Sequence, residues 1–136
     1  MIEEVLRLRG PLNVSNTRVS PGKTIAGQWV PKGVTVETCP YATARDPQAF
    51  HEPLEFDPAR WEHATDEMKH MSRPFSLGPR NCVGRHLAEV GLTLTVARLY
   101  QLHDIVLDPT MTEEQMKQID QGVLEPGCDH FYVTTT

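Results

Sequence analysis

Cys82 is set in the stretch Phe75-Ser76-Leu77-Gly78-Pro79-Arg80-Asn81-Cys82-Val83-Gly84-Arg85, just ahead of the strongest helical pattern in the chain. A Gly-Pro turn delivers the thiol to a helix N-terminus. Unpaired backbone N–H groups and the positive end of the helix dipole favour an anion there. A thiolate is such an anion and a soft metal ligand. Arg80 and Arg85 add positive charge nearby. Gly78 and Gly84 remove side chains on either side, so a large flat body can approach the sulfur closely. The plain alternative is a small buried cysteine at a helix start.

The elements that must position this loop follow from periodicity. Residues 84–103 read as one long helix: Leu87, Val90, Leu94, Ala97 and Tyr100 share a face, and Leu92, Val96 and Leu99 widen it. An apolar arc that wide is expected to be buried on most sides, yet 136 residues offer little else to bury it. Residues 1–9 form a short helix with Ile2, Val5, Leu6 and Leu8 as its apolar stripe, stopped by Gly10-Pro11. Its pattern is already under way at the first residue, as if entered part-way.

Residues 12–40 are strand territory. Thr24-Ile25-Ala26 and Gln28-Trp29-Val30 flank Gly27 as a tight hairpin or bulge. Pro31-Lys32-Gly33 turns the chain into Val34-Thr35-Val36, and the expectation is one small antiparallel sheet. Residues 41–74 are punctuated by Pro47, Pro53, Pro58 and Pro74, with Asp46-Pro47 opening a helical turn. Long poorly periodic segments of this kind are usually functional or disordered; Phe56 and Trp61 argue for a packed one. Thr112 and Gln115 resemble a capping box, predicting a second short helix over 112–118. Residues 131–136 read as a terminal strand.

Composition narrows the classes. Lys and Arg total 13 against 18 Asp and Glu, a formal charge of −5, which argues against nucleic-acid binding. No run approaches the roughly 18 apolar residues of a membrane span, and the N-terminus has acids among its apolar residues, unlike a signal peptide. Three separated cysteines make no disulfide framework.

The cysteine stretch resembles the ligand loop of cytochrome P450 enzymes, F-x-x-G-x-R-x-C-x-G. Phe75, Gly78, Arg80, Cys82 and Gly84 meet every fixed position, and Ala88 fits six residues on. Glu4-Val5-Leu6-Arg7 resembles the family's E-x-x-R signature, although such pairs are common on solvated helices. Gly27 to Gly33, Tyr41 and Arg45-Asp46-Pro47 resemble its G-x-x-I-P-x-G and H-R-D-P stretch. Phe56-Asp57-Pro58-Ala59-Arg60-Trp61 resembles F-x-P-E-R-W. Ala44, Ala59 and Arg9-Gly10 depart from the pattern, none at a haem ligand. The segments Met111–Met116 and Leu124–Gly127 look most like filamentous-fungal members.

The resemblance implies a mainly α fold with a small antiparallel β component. Residues 1–136 would be the C-terminal, haem-proximal part of the cytochrome P450 domain: K helix, β hairpins, meander, cysteine loop, L helix and terminal strands. Cys82 would be the axial thiolate of haem b, whose electron donation favours O–O cleavage. Phe75 would pack beside the sulfur and keep water off it. Gly78 and Gly84 would let the macrocycle approach. Arg80 would pair with a haem propionate and Arg18 with another; the plain reading of Arg18 is a solvated strand charge. Glu4, Arg7 and Arg60 would form a buried ion triad. Leu12, Val14 and Asn16 would line the substrate cavity, with the turn 126–130 as a second candidate. Lys69, Arg73 and Arg85 would meet an acidic redox partner, by family an NADPH-dependent P450 reductase, although scattered surface charge explains them equally.

The implied parent activity is insertion of one O2-derived oxygen atom into a small organic substrate. The resemblance covers about a quarter to a third of a family member. No A-G-x-[DE]-T-like segment of the I helix occurs, so no catalytic acid or alcohol is assigned. The N-terminal anchor that holds fungal members at the endoplasmic reticulum membrane has no counterpart. Two alternatives stand beside a monooxygenase portion: a non-catalytic truncated remnant, and a small metal- or partner-binding module, its metal set being Cys82 and His86 with His63 and His70. That last spacing is poor for structural zinc.

Overall fold

A computed structural model describes residues 1–14, 17–112, 114–120, 123–128 and 132–135. Helix α1 spans Ile2–Arg9, with Glu3 and Glu4 in its first turn and Arg7 and Arg9 in its last. Each set of charges complements the nearer end of the helix dipole. The face it buries carries two charged residues beside Leu8. Glu4 and Arg7 are 0% and 2% exposed, whereas Val5 is 42% exposed. The buried charges find partners across the chain, and those partners decide how the helix lies.

Four short strands follow: β1 Arg18–Val19, β2 Lys23–Ile25, β3 Gln28–Val30 and β4 Thr35–Val36. β2 and β3 form a hairpin, with Thr24 opposite Trp29. Its two-residue turn is Ala26-Gly27, at φ 48° and 80°, the left-handed pair that a type I′ turn requires. β1 pairs with β4 antiparallel. Ser20 N–H donates to Val34 O at 2.8 Å and Gly33 N–H to Ser20 O at 2.9 Å, extending that pairing beside the hairpin. The expected single sheet is thus two separate two-stranded ladders.

Helix α2 is one turn, Pro40–Thr43. Asp46 caps the turn that Pro47 opens, with its carboxylate accepting from Gln48 N–H at 2.8 Å. A 3-10 turn covers Pro58–His63, capped by Asp57. Helix α3, Asp66–Met71, is capped by Thr65, whose hydroxyl accepts from Met68 N–H. A 3-10 turn at Gly78–Arg80 leads into helix α4, Arg85–Leu102. Strand β5, Ile105–Leu107, pairs with β8, Val133–Thr135; between them β6, Gln118–Asp120, pairs with β7, Leu124–Pro126.

Two sequence expectations are corrected. No helix forms over 112–118 among the described residues. The capping-box bonds do form: Thr112 N–H donates to Gln115 Oε1 at 2.8 Å, and Gln115 N–H to Thr112 Oγ1 at 3.3 Å. They close only a turn, because the chain from Gln118 is taken into a ladder with β7. And α4 buries none of its residues: Leu87 is 80% exposed and Leu94 64%. Its apolar side chains go round the whole helix, and the described residues cover them only in part, at Ala88 and Val96.

The core is accordingly small. Among the described residues, Leu8, Ala44, Phe50 and Met68 are its buried apolar members. Phe50, 1% exposed, lies over the Arg7 guanidinium at 4.8 Å and beside Trp61, ring centroids 6.4 Å apart.

Candidate functional site

The cysteine loop is held by its main chain. Cys82 N–H donates to Phe75 O at 2.9 Å, Asn81 N–H to Gly78 O at 3.1 Å, and Arg85 N–H to Cys82 O at 3.3 Å. Ser76 and Gly78 adopt left-handed backbone, φ 62° and 72°. A Cβ on Gly78 would meet no atom within 4 Å, and one on Gly84 would meet only Cys82 Sγ, at 3.9 Å. Gly84 is the residue before the first turn of α4, so the sulfur stands beside that helix N-terminus. Cys82 is exposed. Phe75 is half-buried, and its carbonyl accepts the Cys82 N–H.

Arg80 closes the 3-10 turn and is exposed. Arg18 lies opposite Val36 on β1, exposed, with its guanidinium donating to Thr17 O at 3.3 Å. Leu12 and Val14 are exposed; Asn16 and part of the turn 126–130 lie outside the described residues. Of the cations proposed for a redox partner, Lys69 is exposed on α3 and Arg85 pairs with Glu89 at 2.8 Å. Arg73 is half-buried, with Nε lacking a partner among the described residues.

Glu4, Arg7 and Arg60 are brought together. Arg7 grips the Glu4 carboxylate with two bonds, Nε to Oε2 at 2.9 Å and Nη2 to Oε1 at 2.7 Å. Its other N–H groups go to the carbonyls of Ala44, Pro53 and Glu55. Arg60 Nε donates to Glu4 Oε1 at 3.0 Å, and its remaining nitrogens hold the carbonyls of His51, Glu52 and Glu55. Two donors were not foreseen from sequence: Trp61 Nε1 to Glu4 Oε2 at 2.7 Å and Asp57 N–H to Oε1 at 3.1 Å. Burial by itself would raise the Glu4 pKa. The bonds from Arg7, Asp57 and Trp61 outweigh it and hold the carboxyl at about 2. This cluster ties α1 to the segment that leads into the cysteine loop.

The donor chemistry separates the metal readings. Structural zinc asks the protein for four ligands, but no group of three or more His, Cys, Asp or Glu is placed to hold a metal among the described residues. The zinc alternative with His63, His70 and His86 is therefore set aside. A haem brings four in-plane nitrogens and asks for an axial ligand. One accessible thiol, with open space at Gly78 and only the sulfur itself within reach of a Cβ on Gly84, fits that demand. Cys82 would hold the iron, and Arg80 and Arg18 would offer guanidinium forks to propionates.

Comparison with known proteins agrees. The family model described as "Cytochrome P450" matches residues 1–128. Averantin hydroxylase of Aspergillus parasiticus is 38% identical over 128 residues, covering 90% of this chain and 26% of that protein. The cytochrome P450 monooxygenase ORF9 of Penicillium roqueforti is 41% identical over 109 residues, covering 79% and 21%. A zebrafish cytochrome P450 solved with abiraterone superposes with a TM-score of 0.83 at 29% identity, covering 99% of this chain and 31% of that one. The fold is that of solved cytochrome P450 structures. The chain belongs to the cytochrome P450 family, and it resembles fungal members of it. It spans about a quarter of the length of the curated relatives it matches.

Proposed function

We propose that this chain is the haem-proximal portion of a haem-thiolate monooxygenase, with Cys82 as the axial thiolate of haem b. The observation that carries this reading is the loop itself: a single exposed thiol, fixed by its backbone to Phe75 and α4, with open space at Gly78, and Gly84 directly beside the sulfur. Arg80 and Arg18 would hold the propionates. The Glu4 cluster would keep α1 and the segment before the loop in register. When bound, the haem would supply O2 activation, and thiolate donation favours O–O cleavage.

The parent reaction in this reading inserts one oxygen atom from O2 into a small organic substrate. Electrons would come from an NADPH-dependent reductase. The hydroxylase and monooxygenase names of the fungal relatives support that class, and fungal secondary metabolism is its setting. Leu12, Val14 and Asn16 would touch substrate. Lys69 and Arg73 would face an acidic redox partner, more than Arg85, whose charge Glu89 offsets. Turnover would also need the distal side of the haem, which the longer relatives have room for.

The test is spectroscopic. The chain is expressed with haem, reduced and exposed to carbon monoxide. A red-shifted Soret band of thiolate ligation is expected, and its loss in Cys82→Ala. An unchanged band in Cys82→Ala would overturn the ligand assignment. Absence of any haem uptake would overturn the claim that these residues hold haem by themselves.

A further inference from the structure

A cavity of about 490 Å³ lies between the C-terminal end of α1, helix α2 and the β6–β7 hairpin, well within the ~300–1,000 Å³ range of small-molecule pockets. Among the described residues its wall carries three cations, Arg9, Arg45 and Lys117, and one carboxylate, Asp120. Asp120 already accepts from Asn13 Nδ2 at 2.8 Å. Lys117 pairs with Glu114 on the surface, a contact worth little. Among the described residues, neither Arg9 nor Arg45 forms an ion pair.

Arg45 is the informative member. It is half-buried, stacked on the Tyr41 ring at 3.6 Å, and donates to the carbonyls of Leu8 and Tyr41. Those two bonds leave three of its five N–H groups for another acceptor. Burial lowers its pKa, and the charges of Arg7 and Arg9 push the same way, while Tyr41 and Cys39 oppose them. The corner therefore gathers guanidinium charge that forms no ion pair among the described residues, beside open space. Tyr41 and Leu124 give the same cavity an apolar side.

We propose that this cavity is a binding site for a small organic carboxylate, separate from the cysteine loop. The carboxylate would take fork-like hydrogen bonds from Arg9 and Arg45, and its flat or short aliphatic body would lie against Tyr41 and Leu124. A mixed wall of a few placed cations and apolar surface is how small-ligand sites fix orientation.

Benzoate, its neutral isostere benzamide, and inorganic phosphate are titrated into the haem-free chain, followed by calorimetry and amide NMR shifts at Tyr41 and Gln118. Saturable benzoate binding is expected, with benzamide at least about tenfold weaker because it lacks the charge. Arg9→Gln, at an exposed side chain, should weaken benzoate by about tenfold; Arg9→Lys, which removes the fork and keeps the charge, is the second variant should Arg9→Gln lose its native circular dichroism. Phosphate binding as tightly as benzoate would overturn the organic-carboxylate assignment. Equal binding of benzamide, or benzoate affinity unchanged in the folded variant, would overturn the site. None of these readouts depends on haem.

Discussion

Trp61 donates its indole N–H to Glu4 Oε2 at 2.7 Å, although 57 positions separate the two in the chain. That bond lands on a carboxylate already held by Arg7, Arg60 and the Asp57 amide. The best-buried part of the protein is thus organised by one acid rather than by an apolar cluster. Such ionic centres fix geometry at least as much as they add stability.

Glu4→Gln removes the charge that Arg7 and Arg60 answer and leaves a buried guanidinium uncompensated. The expected loss is about 3–5 kcal/mol, read as a lower urea midpoint. Trp61→Phe, which deletes one donor, should lose about 1–3 kcal/mol. A Glu4→Gln variant within 1 kcal/mol of the parent, on the same roughly 1–3 kcal/mol scale of a single lost bond, would show that water reaches the cluster.

Acid should act through the same group. The Glu4 carboxyl titrates at about 2 in the folded chain and near 4.5 when unfolded. Its folded pKa is the lower one, so its contribution is complete above pH 4.5 and is lost as pH falls through about 2. The gap is worth about 3 kcal/mol. Stability measured across that window should fall with acid in the parent and be flatter by about one proton in Glu4→Gln.

Gly78→Ala meets no neighbouring atom but keeps φ at 72°. Its cost should be purely conformational, about 1–2 kcal/mol. If the variant matched the parent in thermal unfolding, the loop would have relaxed out of the left-handed region, and the Cys82-to-Phe75 bond should then be lost to hydrogen exchange.

Ala26 holds the first left-handed position of the β2–β3 turn without being glycine. Asn is favoured there in type I′ turns. Ala26→Asn should stabilise the chain by about 0.5–1 kcal/mol, seen as a higher melting temperature. A lower one would mean that the turn geometry is imposed from outside the hairpin.

Helix α4 exposes Leu87 and Leu94 on a helix with no buried residue. Exposed apolar patches of this kind drive association. Leu87→Lys with Leu94→Lys should shift sedimentation toward monomer at unchanged folding stability, within about 0.5 kcal/mol. A large loss of stability instead would show that α4 is packed in solution.

Much of this was legible in the residues. The order Glu4-Arg7, Arg60, then the cysteine loop can be read from motifs, because each needs fixed residue types at fixed spacing. The hairpin at Ala26-Gly27 follows from a β-branched run broken by glycine. What could not be read was long-range. Trp61 joins Glu4 because a 3-10 turn sets it beside Arg60, and short 3-10 turns leave no periodic signature. The stretch 112–118 has true capping chemistry, yet Gly127 N–H donates to Lys117 O at 2.7 Å and draws the chain into the β6–β7 hairpin. Tertiary pairing overrode a local preference there. The burial of Glu4 and Arg7 beside Leu8 follows from the motif and not from the apolar stripe of α1, since a stripe cannot announce that the charged face will meet its partners.

The cysteine loop carries its shape in its main chain: three backbone bonds and two left-handed residues. The side chains of Leu77, Pro79, Asn81 and Val83 are all exposed and take no part in those bonds. Scaffold and tuning are therefore separable at this site. The backbone that positions Cys82 can stay constant while those four side chains change, so substitutions there should alter the surface around the loop and leave its course intact.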